Sequence, residues 1–200
     1  MTKTQKQRLL SGMAYQASDP ELKAERIQAK KHLYQFNQLE PEANSQREQV
    51  LKQLLGSTEE SVYIEPPFYC DYGYNIHLGK DFYANYHLTI LDCCKVSIGN
   101  QVMIGPNVDI YTACHPIDAS LRHEAGYEFA KPVSIGDQVW IGGRTVINPG
   151  VKIGSQTIIG SGSVVTKDIP GGVIAVGNPC RVLRTITEAD WTAFSEENPH

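Results

Sequence analysis

The stretch IGDQVWIGGRTVINPGVKIGSQTIIGSGSVV, residues 135–165, places an aliphatic residue at every sixth position. Glycine usually follows, as in Ile135-Gly136 and Ile141-Gly142. Six is a multiple of the strand period of two but not of the helix period of 3.6, so each unit can be a short extended run ended by a turn. Units of this kind stack on one another, and the period therefore predicts a solenoid.

The same series continues towards the amino terminus and reaches thirteen units, with the upstream members at Ile98, Ile104, Ile110 and, in another phase, Tyr72, Leu78, Ala84 and Ile90. A second series of medium or small residues lies four positions further on: Ile76, Phe82, Leu88, Val102, Val108, Val139, Thr145, Val151, Thr157 and Ser163. We expect three units to close each coil of a prism, with both series stacked in files inside it.

The composition favours one soluble unit without a nucleic-acid or membrane partner. The 200 residues are 41% hydrophobic and carry a net charge of −4. No apolar run approaches the roughly 18 residues that span a bilayer, and the lysine-rich start lacks the apolar core of a signal peptide. Five cysteines, an odd number without CxxC spacing, favour a reduced cytoplasmic protein over a disulfide or zinc framework.

The chain divides into a helical region over residues 1–60, a prism over 61–185 and a tail over 186–200. Asp19 is the expected N-cap of a helix that begins with Pro20. Two helical runs of apolar residues follow, one at Leu22, Ile27, Leu33 and Phe36 and one at Val50, Leu51, Leu54 and Leu55.

The repeat is interrupted at two places. It gains two residues around Asp92-Cys93-Cys94, and a polar loop over residues 111–132 separates Ile110 from the next unit. Loops on a rigid scaffold commonly carry function, and this one contains His115, which Pro116 restricts to an extended backbone. From its position alone, His115 is either a polar loop residue or a catalytic one.

Several segments together resemble the galactoside, maltose and nodulation-sugar O-acetyltransferases, which are hexapeptide-repeat acyltransferases. They are IEPPFYCDYGYNIHLG (64–79), YANYHLTILD (83–92), TACHPID (112–118), VWIG (139–142), VVTKDIP (164–170) and GNPCRVLR (177–184). The resemblance extends over nearly the whole chain. It implies an all-β solenoid, a left-handed parallel β-helix with a helical N-terminal region and one protruding loop.

By the same resemblance, the protein transfers an acetyl group from acetyl-CoA to a hydroxyl of a maltose-, glucose- or galactoside-type sugar. His115 is the general base in a direct attack, since a sugar hydroxyl is too weak an acid to react unaided. The implied acceptor residues are Asp71, Asn85, Cys93, Tyr127 and Glu128. The implied residues for acetyl-CoA are Trp140, Gly143, Ser161, Thr166, Lys167, Arg181 and Arg184. No metal is expected, and the implied assembly is a homotrimer with active sites between subunits.

Three departures from the family pattern leave the acceptor open. Cys114 stands where glycine commonly precedes the histidine, Gln16 where an acidic residue is frequent, and Cys93 where the galactoside enzymes are acidic. Simpler interpretations also remain for single residues: Asn85 as a turn residue, Glu128 as a solvated loop charge and Arg184 as a surface residue.

Three other functions fit a chain of this fold. They are an antibiotic or other small-molecule acetyltransferase, a non-catalytic structural solenoid, and a β-helix carbonic anhydrase with zinc held by three histidines. The last is disfavoured because His77, His87, His115 and His123 include no His-x4-His pair.

Overall fold

The computed structural model describes residues 2–197, with side chains to residue 192. Its amino-terminal part contains α1 (Gln5–Leu10), β1 (Tyr15–Gln16), α2 (Pro20–Gln38) and α3 (Asn44–Leu54). Asp19 caps α2 as predicted, since its Oδ1 accepts the backbone N–H groups of Glu21 at 3.0 Å and Leu22 at 3.4 Å. The carboxylate thereby satisfies amides that have no partner within the helix.

The buried face of α2 contains three of the four apolar residues of the first helical run. Leu22, Ala29, Leu33 and Phe36 are buried, whereas Ile27 is 56% exposed. Five residues of helix turn the chain by about 140° beyond a full turn, so Ile27 points away from the face that Leu22 occupies. Ile27 therefore does not pack with the other residues of its run, while the four apolar residues of the second run are buried.

Three parallel sheets form the faces of a prism, and we name them in the order in which the chain visits them. Face 1 contains β2 (Ser57–Thr58), β5 (Ile76–Leu78), β8 (Val96–Ile98), β13 (Val133–Ile135) and β16 (Lys152–Ile153). Face 2 contains β3 (Tyr63–Ile64), β6 (Tyr83–Ala84), β9 (Met103–Ile104), β14 (Trp140–Ile141), β17 (Ile158–Ile159), β19 (Val173–Val176) and the antiparallel β20 (Arg181–Thr185). Face 3 contains β4 (Phe68–Cys70), β7 (Leu88–Leu91), β10 (Asp109–Tyr111), β15 (Val146–Ile147) and β18 (Val164–Val165).

The register stacks the aliphatic residues in files, as the period predicts. On face 2, Ala84 pairs with Ile104, Ile104 with Ile141 and Ile141 with Ile159. All of these side chains are buried, and so is every residue of the second predicted series. The predicted parallel β-helix of hexapeptide repeats, with its helical N-terminal region, is confirmed.

Tyr72 is the one repeat residue that the sequence places wrongly. Cys70, not Tyr72, occupies the interior position on face 3, where it pairs with Ile90. The next member of this interior series is Leu78, eight positions after Cys70, so counting back by six from Leu78 gives Tyr72. The tyrosine instead joins a second apolar cluster outside the prism, together with Leu9, Tyr15, Leu22, Cys93, Cys94 and Ala130.

Side-chain oxygens link successive coils at the corner between faces 1 and 2. Asn100 Oδ1 accepts the Lys80 N–H at 2.9 Å, and Asp137 Oδ1 accepts the Asn100 N–H at 2.7 Å. Each bond satisfies an amide that the turn leaves outside the sheet. The non-glycine residue after this position has a positive φ in five successive coils, at Ser61, Asp81, Gln101, Gln138 and Gln156.

The loop over residues 111–132 leaves the prism after face 3 and is itself structured. It contains β11 (Ala113–Cys114), α4 (Ala119–His123) and β12 (Tyr127–Ala130). β12 pairs antiparallel with both β11 and β1, so the amino-terminal segment holds the loop through a three-stranded sheet.

The carboxyl-terminal part folds back from β19 into β20 and then forms α5 (Glu188–Glu197). The predicted tail over residues 186–200 therefore contains a helix, and its last three residues lie outside the described part of the chain. Within residues 2–197, no helix is both long enough and apolar enough to cross a membrane.

Candidate active site

A cavity of about 280 Å³ lies at the corner between faces 3 and 1. It brings together four of the predicted site residues, His115, Asp71, Cys93 and Glu128. The remaining lining residues are Ala17, Arg26, Tyr72, Leu91 and Ala113. We call this space the acceptor cavity, because it contains the histidine and most of the residues that the sequence assigns to the acceptor.

The irregularities of the repeat build this cavity, since they fall at one corner in successive coils. The interior spacing widens to eight residues after Cys70 and again after Ile90, and the loop over residues 111–132 follows Ile110. These three interior residues stack on face 3. The extra residues of each coil therefore stack outside the prism, with Asp71, Cys93 and His115 on consecutive levels.

A buried carboxylate organises the backbone of this corner. Asp92 Oδ1 accepts the N–H groups of Asp71 at 3.0 Å and Tyr72 at 2.9 Å. The amide of Asn75 donates to the backbone oxygen of Asp92 at 2.7 Å. Burial raises the pKa of Asp92 to about 7, because desolvation outweighs these hydrogen bonds.

The cavity's polar side chains are linked to one another. Tyr15 donates its hydroxyl hydrogen to Glu128 Oε2 at 2.9 Å, and the Cys93 thiol donates to Asp71 Oδ2 at 3.4 Å. Burial raises the pKa of the Cys93 thiol, and the nearby Asp71 carboxylate raises it further. Cys93 is therefore a protonated donor in this site and is poorly suited to act as a nucleophile.

His115 follows β11 and is exposed at the mouth of the acceptor cavity. Its ring is therefore accessible to a bound hydroxyl. Tyr127 does not line the cavity; it precedes Glu128 on β12, and successive side chains of a strand point to opposite faces.

Arg26 and Tyr72 line the acceptor cavity, although the sequence does not mark either as a site residue. Arg26 of α2 donates to the hydroxyl of Tyr72 at 2.5 Å and to the backbone oxygen of Ala17 at 2.6 Å. In the sequence, Arg26 is one polar residue of an amphipathic helix and Tyr72 is an apparent repeat residue. The residues next to each in the sequence do not indicate a role in the site. Arg26 reaches the cavity only because α2 docks against this corner.

A second space, a groove of about 360 Å³, lies at the corner between faces 2 and 3. We call it the donor groove, because it contains three of the residues that the sequence assigns to acetyl-CoA, Trp140, Gly143 and Ser161. Its other lining residues are Tyr83, Asn85, Met103, Ile104, Gly105, Pro106 and Gly142. Asn85, which the sequence assigns to the acceptor, thus lies in the groove and not beside the His115 of its own chain.

The remaining donor residues lie elsewhere. Thr166 and Lys167 follow β18, so they share the corner of the acceptor cavity, and both are exposed. Arg181 and Arg184 lie on the exposed strand β20, where Arg184 forms a two-pronged ion pair with Asp190 at 2.8 and 2.5 Å. The predicted set is therefore divided between two corners of the prism and its carboxyl-terminal end.

Gly143 fits the donor groove for a steric reason. A Cβ at this position would lie 3.0 Å from the backbone oxygen of Pro106 and 3.1 Å from its Cδ, closer than ordinary van der Waals contact. The backbone of Gly143 therefore borders the groove directly and presents no side chain to it.

Comparison with known proteins identifies the family. Residues 8–59 match the maltose acetyltransferase hexapeptide capping motif, and residues 132–167 match the bacterial transferase hexapeptide repeats. The galactoside O-acetyltransferase of Escherichia coli is 43% identical over 92% of this chain and 90% of its own. The chain belongs to the galactoside and maltose O-acetyltransferase family.

Solved structures of this O-acetyltransferase family share the fold closely. A maltose O-acetyltransferase from Clostridium difficile 630 is 50% identical, with a TM-score of 0.89 over 94% of this chain and 100% of that one. A galactoside acetyltransferase in complex with coenzyme A is 42% identical, with a TM-score of 0.91 over 95% of this chain and 94% of that one.

Membership of the O-acetyltransferase family makes this chain an acetyltransferase and decides against a non-catalytic solenoid. Among the described residues, no group of three or more histidine, cysteine, aspartate or glutamate side chains could hold a metal ion.

Proposed function

We propose that the protein transfers the acetyl group of acetyl-CoA to a hydroxyl of a sugar bound in the acceptor cavity, with His115 as the general base. The observation that carries this proposal is the shared cavity of His115, Asp71 and Glu128. It combines a base accessible to a bound hydroxyl with two carboxylates that accept hydrogen bonds from further hydroxyls.

The proposed reaction has two steps and no covalent enzyme intermediate. His115 removes the proton of the acceptor hydroxyl as its oxygen forms a bond to the thioester carbonyl carbon. The resulting tetrahedral intermediate collapses with cleavage of the carbon–sulfur bond, and the imidazolium returns the proton to the departing CoA thiolate. One histidine thus serves as base and then as acid.

We assign acetyl-CoA to the donor groove and to exposed cations elsewhere on the prism. Trp140 and Met103 offer apolar surface to the pantetheine arm, and the backbone N–H of Gly143 is available to the oxyanion. Lys167, Arg181 and Arg184 are exposed cations that suit the phosphates. This assignment is consistent with the coenzyme A bound in the related galactoside acetyltransferase.

A complete site needs two copies of the chain. The acceptor cavity and the donor groove lie at different corners of the prism, so one chain does not present Asn85 and Gly143 to its own His115. A neighbouring copy that packs its donor groove against this corner supplies the missing half. Three copies around a threefold axis close such an arrangement, which supports the predicted homotrimer.

An acceptor screen tests the proposal. CoA thiol release from acetyl-CoA is measured with maltose, glucose, galactosides and chitin-type oligosaccharides, and an aminoglycoside antibiotic represents the alternative acceptor class. We expect turnover with at least one sugar, and mass spectrometry should show one added acetyl group on the sugar. Turnover with the antibiotic alone, or with none of these acceptors, would contradict the proposed sugar acceptor.

A further inference from the structure

Tyr15 lies behind a residue that lines the acceptor cavity, Glu128. The proposed reaction assigns Tyr15 no role. It lies on β1, fully buried in the apolar cluster outside the prism. In the antiparallel pairing of β1 with β12, Tyr15 stands opposite Glu128. Side chains of directly opposed residues project on the same side of a sheet, and the phenol donates to Glu128 Oε2 at 2.9 Å.

The second carboxylate of the cavity, Asp71, is held by a different side chain, the Cys93 thiol. That thiol donates to Asp71 Oδ2 at 3.4 Å, and Asp92 fixes the backbone of Asp71. Two separate hydrogen bonds therefore hold the cavity carboxylates, one from Tyr15 to Glu128 of the loop and one from Cys93 to Asp71 of the prism corner. Tyr15 itself belongs to neither the loop nor the prism.

Each of the two cavity carboxylates is thus held through one oxygen. Glu128 uses Oε2 for Tyr15, and Asp71 uses Oδ2 for Cys93. Both residues line the cavity, which leaves Oε1 of Glu128 and Oδ1 of Asp71 to accept hydrogen bonds from a ligand. A carboxylate held in one orientation binds a hydroxyl better than a freely rotating one, because less entropy is lost on binding.

We infer that Tyr15 is a positioning residue for the acceptor, whose phenol orients the Glu128 carboxylate towards one hydroxyl of the bound sugar, while the Cys93 thiol orients that of Asp71 towards another. The inference rests on the proposed function and deepens it. It makes the bound part of the acceptor a neutral polyhydroxy compound with two hydroxyl donors besides the one that is acetylated.

The Tyr15→Phe variant tests this role, because it removes the hydroxyl and keeps the ring that packs in the apolar cluster. We expect the KM for the sugar to rise about tenfold, because the variant loses one hydrogen bond to a charged group. The KM for acetyl-CoA should stay within about twofold, because neither Tyr15 nor Glu128 lines the donor groove. The midpoint of thermal unfolding is measured in parallel.

Cys93 provides a matched pair of variants. Cys93→Ser keeps a donor for Asp71 and should retain most of the sugar affinity, whereas Cys93→Ala removes the donor and should raise the sugar KM as Tyr15→Phe does. Tyr34→Phe is the control, since Tyr34 is 73% exposed on α2 and lies outside the cavity. It should leave both KM values unchanged.

The outcomes separate this inference from the proposed function. A wild-type protein that acetylates no sugar contradicts the proposed function itself. A wild-type protein that does so, with an unchanged sugar KM in Tyr15→Phe, contradicts only the positioning role. A variant in which both KM values rise and thermal stability falls also contradicts it, because Tyr15 then acts through general packing.

Discussion

The buried side chain of Asp92 accepts the backbone N–H of Asp71 across two successive coils, at 3.0 Å. A carboxylate in one coil thereby sets the backbone of a cavity residue in the coil before it. The hydrogen bond lies at the corner where the repeat widens, and without such a partner the extra amides would be buried and unsatisfied. The shape of the acceptor cavity therefore depends on a residue that does not line it.

The buried Asp92 should make stability depend on pH. Its pKa is about 7 in the folded chain and about 3.9 in an unfolded one. Between these values the folded state binds the additional proton, so the free energy of unfolding should fall as pH rises, by at most about 1.4 kcal/mol per pH unit. This loss of stability is complete once the pH exceeds the pKa of Asp92 in the folded chain.

Urea unfolding of the wild type and Asp92→Asn at pH 5, 6 and 7 measures this contribution. The asparagine variant lacks the titration, so the stability of the wild type relative to the variant should decline across the series. A difference that is constant with pH would show that Asp92 does not titrate in this window.

His115→Ala should lower kcat by about 10²–10⁴-fold, the usual contribution of a general base. The histidine is exposed, so the thermal midpoint should not change. His123 is an exposed histidine of the same loop and lies outside the cavity. His123→Ala is therefore the matched control and should retain full turnover, whereas equal losses in the two variants would refute the assignment of the base to His115.

A site shared between neighbouring chains should show complementation. His115→Ala and Ser161→Trp, which blocks the donor groove, should each be inactive alone. In trimers mixed at equal ratio, about a quarter of the sites combine an intact histidine from one chain with an intact groove from the next. Co-expressed and purified hybrid trimers should regain activity near that fraction, whereas sites contained within single chains predict none.

Arg184→Ala should raise the KM for acetyl-CoA by about three- to tenfold, the range expected for one exposed charge-assisted contact. The KM for the sugar should not change, because no residue of β20 lines the acceptor cavity. Lys52→Ala serves as the control, since Lys52 pairs with Glu48 on α3 and lies outside both sites. An unchanged acetyl-CoA KM would make Arg184 a surface residue whose partner is Asp190.

The prism itself could be predicted from the sequence because its rule is local. Every sixth residue of a hexapeptide repeat is aliphatic and points into the prism, and this position does not depend on distant parts of the chain. Every such residue from Ile135 to Val165 is buried. The cap of α2 was predictable for the same reason, since Asp19 bonds to amides two and three residues away. Tyr72 was misplaced because a period does not reveal where two extra residues enter.

The sequence by itself thus determined the repeat, the family resemblance and the identity of the candidate base. Only the tertiary structure decided that Asp71, Cys93, Glu128 and His115 meet at one corner while Asn85 and Gly143 lie at another. It alone brought Tyr15 to Glu128, 113 residues away along the chain. The physical reason is that a repeat fixes which side chains point inwards, whereas the neighbours of an outward side chain depend on how distant segments stack and dock.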